Sequence, residues 1–296
     1  MNHEKCQAFL TVIDKGSFSA AASELDYTPS GITRMINALE TELGFPLLSR
    51  SPKGVQMTRD GQRLLPVLRE IAYWHRQAAQ ISAEICGLET GSLTIGTYYS
   101  VAACWLPQII KTFQNDFPHI HIDILEGGNS DLVKWLDERR TDCCFFSEYP
   151  IQGDWIPLRR DALVVWLPRS HPRAAADAFP LQEINGAPFI KPLPSCNTDL
   201  ERLLTREHLT PDIRFTTSDN YTAYSMVAAG LGISINNALM ARSWSDDVVT
   251  LPFDPPQSIE LGIAVPCRKE LSPAARRFIA CAQKAISCPA NPPLQR

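Results

Sequence analysis

The sequence has 296 residues, which is more than one typical domain and predicts two or three compact units. Hydrophobic residues make up 45% and charged residues 20% of the chain, and these ordinary fractions exclude a long disordered tract. The formal net charge of −4 excludes strong long-range attraction to polyanions, so any binding of a polyanion needs local basic groups.

Neither a secretory signal nor a membrane span is evident in the sequence. The first residues lack a basic segment followed by an apolar one, and no later run reaches the ~18 apolar residues that a span requires. We therefore expect a cytoplasmic protein with no membrane partner and no cofactor. Nine cysteines without a Cys-x-x-Cys pair favour reduced thiols over a disulfide framework.

The first 43 residues predict three short helices. Apolar residues at helical spacing begin at Cys6, and Gly16 ends this first helix. A second short helix follows, with Ser19 as its predicted N-cap, and ends near Leu25.

The third helix carries the most informative surface. Thr28 supplies a hydroxyl N-cap and Pro29 the favoured first position, and the helix should run to about Leu43, before Gly44. Its apolar residues share one face. The polar residues of its first turns lie together on the other face: Ser30, Thr33, Arg34 and Asn37.

A hairpin and a long helix are predicted next. Two short strands over residues 46–50 and 55–58 flank a turn, which makes a wing beside the helices. The long helix runs from Thr58 to about Cys86, with a bend near Pro66.

The long helix offers apolar side chains that one small domain cannot cover, namely Tyr73, Trp74 and Ile81. Packing of this helix on the C-terminal half of the chain is one interpretation. Pairing with the same helix of a second copy is the favoured one.

Beyond residue 90 strands alternate with helices, which predicts α/β architecture with a parallel sheet. Two α/β units joined by crossing strands resemble the clamshell of periplasmic binding proteins. The expected fold is therefore α+β and α/β, with an N-terminal winged helix-turn-helix, a long linker helix and a two-subdomain α/β effector domain. The predicted bounds are 1–58 for the winged helix-turn-helix, 59–90 for the linker or dimerisation helix and hinge, 91–161 with 266–287 for subdomain I, 162–265 for subdomain II and 288–296 for a flexible tail.

These features resemble the LysR-type transcriptional regulators over essentially the whole chain. The N-terminal half carries the resemblance through Gly16-Ser17-Phe18, Ala21-Ala22, Leu25, Pro29-Ser30, Ile36, Leu39-Glu40, Leu43-Gly44, Pro46-Leu47, Arg50, Thr58 and Gly61. The C-terminal half carries it through Gly91, Leu93, Ile95-Gly96, Leu106-Pro107, Phe113, Phe117-Pro118, Glu126-Gly127 and residues 228–233. The sequence departs from the family pattern at Leu48, at Pro52 and at Asn236-Asn237.

The resemblance implies a sequence-specific DNA-binding regulator that is not an enzyme and whose activity a small-molecule effector modulates. It implies a homodimer or homotetramer on double-stranded DNA with a dyad operator, and RNA polymerase is a further candidate partner.

Side chains near the start of one helix can reach base edges in a major groove about 12 Å wide. Arginine can pair with guanine and asparagine with adenine, while hydroxyls serve bases or phosphates. The wing resembles the family's element that lies against the adjoining minor groove. The expected DNA contacts are Thr28, Pro29, Ser30, Thr33, Arg34, Asn37, Arg50 and Lys53.

Ligands of α/β sheets bind beyond the carboxyl ends of strands, near helix N-termini. Hydroxyls, amides and backbone donors at these places suit a small polar or anionic ligand, although Tyr98, Tyr99 and Trp166 leave an aromatic one open. The expected effector contacts are Thr97, Tyr98, Tyr99, Ser100, Ser195, Cys196, Asn197, Thr198, Ser218 and Asn220.

Two alternatives stay open. One is redox control through Cys196, by resemblance to peroxide-responsive family members, although a second cysteine about ten residues further on is missing. The other is a small-molecule-binding protein or enzyme without DNA function, yet the common catalytic motifs are absent. Cys143 and Cys144 are expected in a buried strand, and His119 and His121 on an exposed one.

Overall fold

The computed structural model describes residues 2–51, 54–87, 89–192, 198–241 and 247–287. The chain divides into two compact units. The N-terminal unit comprises residues 1–88 with 138–140, and the C-terminal unit comprises the others. Within the described ranges, no helix combines the length and apolarity that a membrane crossing requires.

Side-chain caps fix the starts of the N-terminal helices. The Thr28 hydroxyl accepts a hydrogen bond from the Gly31 N–H at 3.1 Å, and the Thr58 hydroxyl accepts one from the Gly61 N–H at 2.9 Å. The cap at Thr28 was predicted, whereas for Thr58 only the start of the helix was. The elements are α1 (His3–Lys15), α2 (Phe18–Glu24), α3 (Pro29–Leu43), β1 (Leu48–Ser51), β2 (Gly54–Met57) and α4 (Arg59–Ile85).

The predicted cap of α2 is wrong. Ser17, not Ser19, has the extended backbone of an N-cap, and its hydroxyl accepts from the Ala20 N–H. The helix therefore begins at Phe18, which packs against the core of the unit. A hydrophobic residue directly after Ser17 was the signal that could have placed the cap correctly.

The core of the N-terminal unit forms where α1, α3 and the start of α4 meet. Phe9 of α1 and Ile32, Ile36 and Leu39 of α3 are fully buried. These are the apolar positions that the helical spacing predicted, and their burial leaves the opposite face of α3 to solvent.

Helix α4 continues through Pro66 for 27 residues. The prediction that Tyr73 adds to the exposed apolar surface of this helix is wrong, because Tyr73 is only 3% exposed. The Arg139 guanidinium lies 4.7 Å from the centre of the Tyr73 ring, within the N-terminal unit. Large apolar side chains that do remain exposed on this helix are Val67, Trp74, Ile81 and Ile85.

A buried guanidinium anchors α4 in its unit. Arg69 is 7% exposed and forms ion pairs with Asp14, at 3.3 Å, and with Glu138. Arg139 pairs with Glu70 at 2.7 Å. A buried charge requires such partners, because its hydration is lost.

The C-terminal unit begins with a regular alternation of strands and helices. Its first elements are β3 (Gly91–Thr97), α5 (Tyr99–Cys104), α6 (Leu106–Asp116), β4 (Ile120–Glu126), α7 (Asn129–Asp137) and β5 (Cys143–Ser147). Long strands and shorter elements follow: β6 (Asp154–Pro168), β7 (Phe179–Pro180), β8 (Pro188–Pro192), α8 (Asp199–Arg206), β9 (Asp212–Thr217), α9 (Asn220–Ala228), β10 (Ser234–Asn237), α10 (Ala238–Ala241), β11 (Val248–Val265) and α11 (Pro273–Ser287). Two 3-10 turns, Leu181–Ile184 and Arg268–Glu270, complete it.

The expected parallel pairing is confirmed for β3, β4 and β5 and for the pair β8 and β9, and it is wrong for β6, β10 and β11 in the main sheet. The main sheet has the order β10-β6-β11-β5-β3-β4. Strand β11 runs antiparallel to both β5 and β6, and β10 runs antiparallel to β6. Strands β8 and β9 form a separate parallel pair. The two long strands β6 and β11 join both subdomains through antiparallel pairing, which the alternation of elements does not reveal.

Gly61→Ala tests the tight junction between the hairpin and α4. A Cβ atom at position 61 would lie 2.3 Å from the Leu47 carbonyl oxygen, closer than atoms can approach. We expect a loss of about 2 kcal/mol or more in the free energy of unfolding, as for an overpacked core. Gln62→Ala, at the next and exposed position, is the control and should stay near the wild type. Equal denaturation midpoints for both variants would contradict the contact.

Candidate functional site

The polar face of α3 is open to solvent. Ser30, Arg34 and Asn37 are exposed, and Thr33 is half-buried. The Thr28 hydroxyl both caps the helix and lies 3.1 Å from the Ser30 hydroxyl. The structure therefore brings together the predicted residues of the helix as one surface at its N-terminal half.

Two acidic residues of α2 and α3 form ion pairs with lysines of α1. Lys5 pairs with Glu42, and its hydrogen bond lowers the pKa of that carboxyl to about 2. Lys15 pairs with Glu24 at 2.6 Å. Arg34, in contrast, has no ion pair among the described residues, so its guanidinium faces solvent.

Glu40 ties α3 to the hairpin. Its carboxylate accepts hydrogen bonds from the Leu47 N–H at 2.6 Å and from the Leu48 N–H at 2.9 Å. The Thr58 hydroxyl donates to the Pro46 carbonyl at 2.8 Å from the other side. The segment that leads into the wing is thus held at both ends by side chains of the helices.

The predicted wing contacts are only partly described. Arg50 pairs through its backbone with Val55 in the β1–β2 hairpin, and its side chain lies outside the description. Lys53 lies outside the described residues altogether.

A cavity of about 390 Å³ lies in the C-terminal unit. It collects residues that follow β3 and β4, the first residues of α8 and α9, and the end of β10, as the rule for α/β sheets predicts. The lining residues are Tyr98, Tyr99, Glu126, Gly127, Gly128, Asn129, Asp131, Leu163, Pro192, Thr198, Asp199, Leu200, Ser218, Asp219, Asn220, Ile235, Asn236, Asn237 and Met240.

Half of the predicted effector residues line this cavity: Tyr98, Tyr99, Thr198, Ser218 and Asn220. Their roles in binding stay a prediction, since Thr198 also caps α8 by accepting from the Glu201 N–H at 3.3 Å. Ser195, Cys196 and Asn197 lie outside the described residues.

Thr97 and Ser100 do not line the cavity, because both are fully buried behind it. The Thr97 hydroxyl donates to the Tyr98 carbonyl at 3.2 Å, and the Ser100 hydroxyl accepts from the Asn237 amide at 3.1 Å. In this structure they support Tyr98 and Asn237 instead, and their contact with a ligand stays a prediction from the sequence.

The sequence-based prediction missed the carboxylates of the cavity. Glu126 and Asp131 lie at the end of β4 and in the first turn of α7, while Asp199 and Asp219 lie at the starts of α8 and α9. The same address rule could have found them, because each directly follows a strand or opens a helix. Asn236 and Asn237, a departure from the family pattern, also line the cavity.

Tyr98 is the most unusual side chain of the lining. Its hydroxyl is buried and makes no hydrogen bond of acceptable geometry, although Ser100 is near. Burial, with the Asp199 charge as a second cause, holds the Tyr98 pKa well above its usual value. A buried donor without an acceptor is costly, so this hydroxyl is available to a ligand.

Comparison with known families decides the identity of the fold. The sequence model described as the bacterial regulatory helix-turn-helix protein of the lysR family matches residues 3–62. That of the LysR substrate binding domain matches residues 87–287. The chain belongs to the LysR family of transcriptional regulators. It is therefore a DNA-binding regulator whose activity a small-molecule effector modulates.

Relatives that match over nearly their whole length are described as HTH-type transcriptional regulators. The uncharacterised HTH-type transcriptional regulator YvbU of Bacillus subtilis is 28% identical over 96% of this chain and 98% of its own. The uncharacterised regulator YnfL of Escherichia coli is 28% identical over 91% of this chain and 94% of its own.

Solved structures share the fold. A full-length OxyR variant from Pseudomonas aeruginosa is 20% identical, with a TM-score of 0.75 over 97% of this chain and 98% of its own. Full-length CbnR complexed with its target DNA is 18% identical, with a TM-score of 0.66 over 96% of this chain and 100% of its own. The expected LysR fold class is thus confirmed.

Potential metal ligands and the Cys143–Cys144 pair can be placed within the described ranges of this LysR protein. No group of three or more metal-binding side chains occurs there, and His121 makes an exposed pair with Asp123 at 3.2 Å. Burial raises the pKa of Cys144 to about 12 and that of Cys143 well above its usual value. Both cysteines lie in the buried strand β5, as predicted.

Glu40→Ala tests the link between α3 and the wing. The substitution leaves two N–H groups without their acceptor, so we expect weaker DNA binding and a stability loss of about 1–3 kcal/mol. Glu42→Ala removes the same charge from the same helix and is the matched control. A pure charge effect would strengthen DNA binding in both variants, and that result in gel-shift titrations would contradict the proposed link.

Alkylation tests the burial of the cysteine pair. Because thiols react as thiolates, Cys143 and Cys144 should escape iodoacetamide at pH 8 in the native protein and react fully in guanidinium chloride. Exposed Cys86 is the internal control and should react in both states. Native-state modification of Cys144, measured by peptide mass spectrometry, would show that β5 is not the closed strand described.

Proposed function

We propose that this LysR-family regulator reads operator DNA with the exposed face of α3 and adjusts that reading through a ligand in the cavity of the C-terminal unit. Arg34, which is exposed in the polar face of α3 and has no ion pair among the described residues, is the observation that carries the first part. An arginine in this position can bind guanine through two hydrogen bonds.

The other side chains of the face have complementary roles. Asn37 is suited to adenine, while Ser30 and Thr33 are suited to bases or phosphates. Thr28 and Pro29 set the N-terminus of α3, where free N–H groups favour a phosphate. We assign Arg50 and Lys53 of the wing to the backbone of the adjoining groove on the basis of the sequence.

Two copies are proposed to bind one dyad operator. Residues 1–90 hold nine basic and ten acidic side chains, a balance of −1, so one copy gains little general attraction to DNA. The apolar side chains exposed on α4, among them Trp74 and Ile81, are available to a second copy. A homodimer or homotetramer doubles the specific contacts, and RNA polymerase stays a candidate partner.

The domain bounds of this proposal follow the sequence. Residues 1–58 form the winged helix-turn-helix, 59–90 the linker helix and hinge, 91–161 with 266–287 subdomain I, and 162–265 subdomain II, with a tail over 288–296. The family matches over residues 3–62 and 87–287 support the two outer parts.

The cavity is the proposed effector site. Its volume falls in the range of small-molecule sites. The regulatory domain of Synechocystis CcmR, 20% identical with a TM-score of 0.62 over 67% of this chain and 98% of its own, was solved in complex with 2-PG. A ligand in a domain of this fold supports the assignment.

We further propose that the protein acts in the cytoplasm and is not an enzyme, since its family consists of transcriptional regulators. The helix-turn-helix match favours this function over a binding protein without DNA function. Redox control through Cys196 stays a prediction from the sequence.

Arg34→Ala tests the assignment of the reading face. We expect the ratio of operator to scrambled-site affinity to fall about tenfold or more, because one bidentate base contact contributes about 1–3 kcal/mol of discrimination. Binding to scrambled DNA should change little. Fluorescence anisotropy with both duplexes at several salt concentrations measures the ratio.

Two comparisons make this test decisive. Arg63→Ala removes an exposed arginine of α4 and should keep the wild-type ratio. Arg50→Ala should weaken both duplexes and flatten the salt slope by about one unit. Wild-type discrimination by Arg34→Ala would refute the assignment of α3.

A further inference from the structure

We propose that the effector of this protein is a small organic cation that carries a protonated amine. The inference rests on the proposed function of the cavity as the effector site and names the chemical class that the site selects. It replaces the sequence-based expectation of a polar or anionic ligand.

The charges of the lining carry the inference. Four of its side chains are carboxylates, Glu126, Asp131, Asp199 and Asp219, and none of the described lining residues is Lys, Arg or His. The segment 193–197, next to the lining residues Pro192 and Thr198, contains no basic residue in the sequence. An anionic ligand would meet like charges without a compensating cation.

One of the four carboxylates is compensated within the protein. Asp199 forms an ion pair with Arg202 and accepts from the Ser147 hydroxyl at 2.6 Å. The Arg202 guanidinium also donates to the Glu148 carbonyl and to Ser147, at 2.7 and 2.6 Å. Both terminal nitrogens of the Arg202 guanidinium therefore form hydrogen bonds within the protein.

Asp219 is held in its charged form. Its carboxylate accepts from the Thr222 N–H at 2.6 Å and from the Thr222 hydroxyl at 2.7 Å. These hydrogen bonds lower the Asp219 pKa. Neutral donors stabilise the negative charge without cancelling it, so the charge still acts on the cavity.

Glu126 and Asp131 supply the second group of charges. Asp131 accepts from the Gly128 N–H at 3.2 Å, and neither carboxylate has an ion pair among the described residues. The two lie on the β4–α7 side, while Asp219 lies at the start of α9. Carboxylates from separate elements of one cavity therefore have no cationic partner among the described residues.

The uncharged lining matches the hydrocarbon part of an amine. Leu163, Ile235 and Met240 offer apolar surface. Tyr98 and Tyr99 add aromatic rings, whose faces attract ammonium groups. The buried Tyr98 hydroxyl has no hydrogen-bond partner, and its oxygen can accept a hydrogen bond from an ammonium group.

Calorimetric titration of the full-length protein with charge-matched probes tests the class. The amines are 1,4-diaminobutane, n-butylamine and 2-phenylethylamine, and their anionic counterparts are hexanedioate, pentanoate and 3-phenylpropanoate. We expect at least one amine to bind at least tenfold more tightly than its counterpart, and more weakly at high salt. Tighter binding of the anions, or no binding of any amine, would overturn the proposal.

Substitutions then locate the binding. Glu126→Gln removes one charge, and Asp219→Asn removes another while keeping a residue that can still cap α9. Each should weaken amine binding about tenfold or more, as expected for a lost charged hydrogen bond. Asp123→Asn, an exposed carboxylate of β4 outside the lining, is the matched control and should bind like the wild type. Equal losses in all three variants would overturn the site.

Operator binding is measured separately in the same preparations. A protein that binds its operator and responds to an anion, but not to an amine, contradicts the cation proposal and leaves the proposed function standing. A protein that binds amines in the cavity but no operator supports the cation proposal and contradicts the proposed function.

Discussion

The distribution of carboxylates is the constraint on which both units depend. Residues 1–90 have to approach a polyanion although their ten acidic side chains slightly outnumber their nine basic ones. Lys5 and Lys15 neutralise Glu42 and Glu24, and Glu40 is used to hold the wing segment through two backbone N–H groups. Arg34 has no ion pair among the described residues. It lies on the exposed face of α3, opposite the buried face. Specific DNA contacts in this protein therefore come from placement rather than from an excess of basic residues.

In the C-terminal unit the same comparison of charges favours a cationic ligand, whereas the N-terminal unit binds a polyanion. Within the described residues, Asp199 is the one carboxylate of the cavity with an internal cation, and Thr222 keeps Asp219 charged. In our proposal, the family fold sets where the ligand binds and these side chains set which charge it carries. Asn236 and Asn237, where the sequence departs from the family pattern, add neutral amides and no cation to this lining.

Features that depend on residues close together in the sequence were predictable, and features that depend on distant residues were not. The cap at Thr28, the stop at Gly44 and the buried face of α3 were predictable, because caps and helical periodicity act within a few residues. The antiparallel pairing of β6 and β11 was not, since it joins distant segments, and the burial of Tyr73 depends on Arg139, 66 positions away. The role of Ser100 behind Asn237 and the convergence of four carboxylates are likewise tertiary effects that no single window of sequence contains.

In the proposed mode of binding, two copies of this chain read one dyad sequence through α3. Genome-wide DNA occupancy of the full-length protein in its native host measures this most directly. The account predicts discrete sites that share an inverted repeat, with half-site centres separated by one helical turn or a multiple of it, about 10 base pairs per turn. Occupancy without a shared sequence, or a shared motif without twofold symmetry, would contradict it.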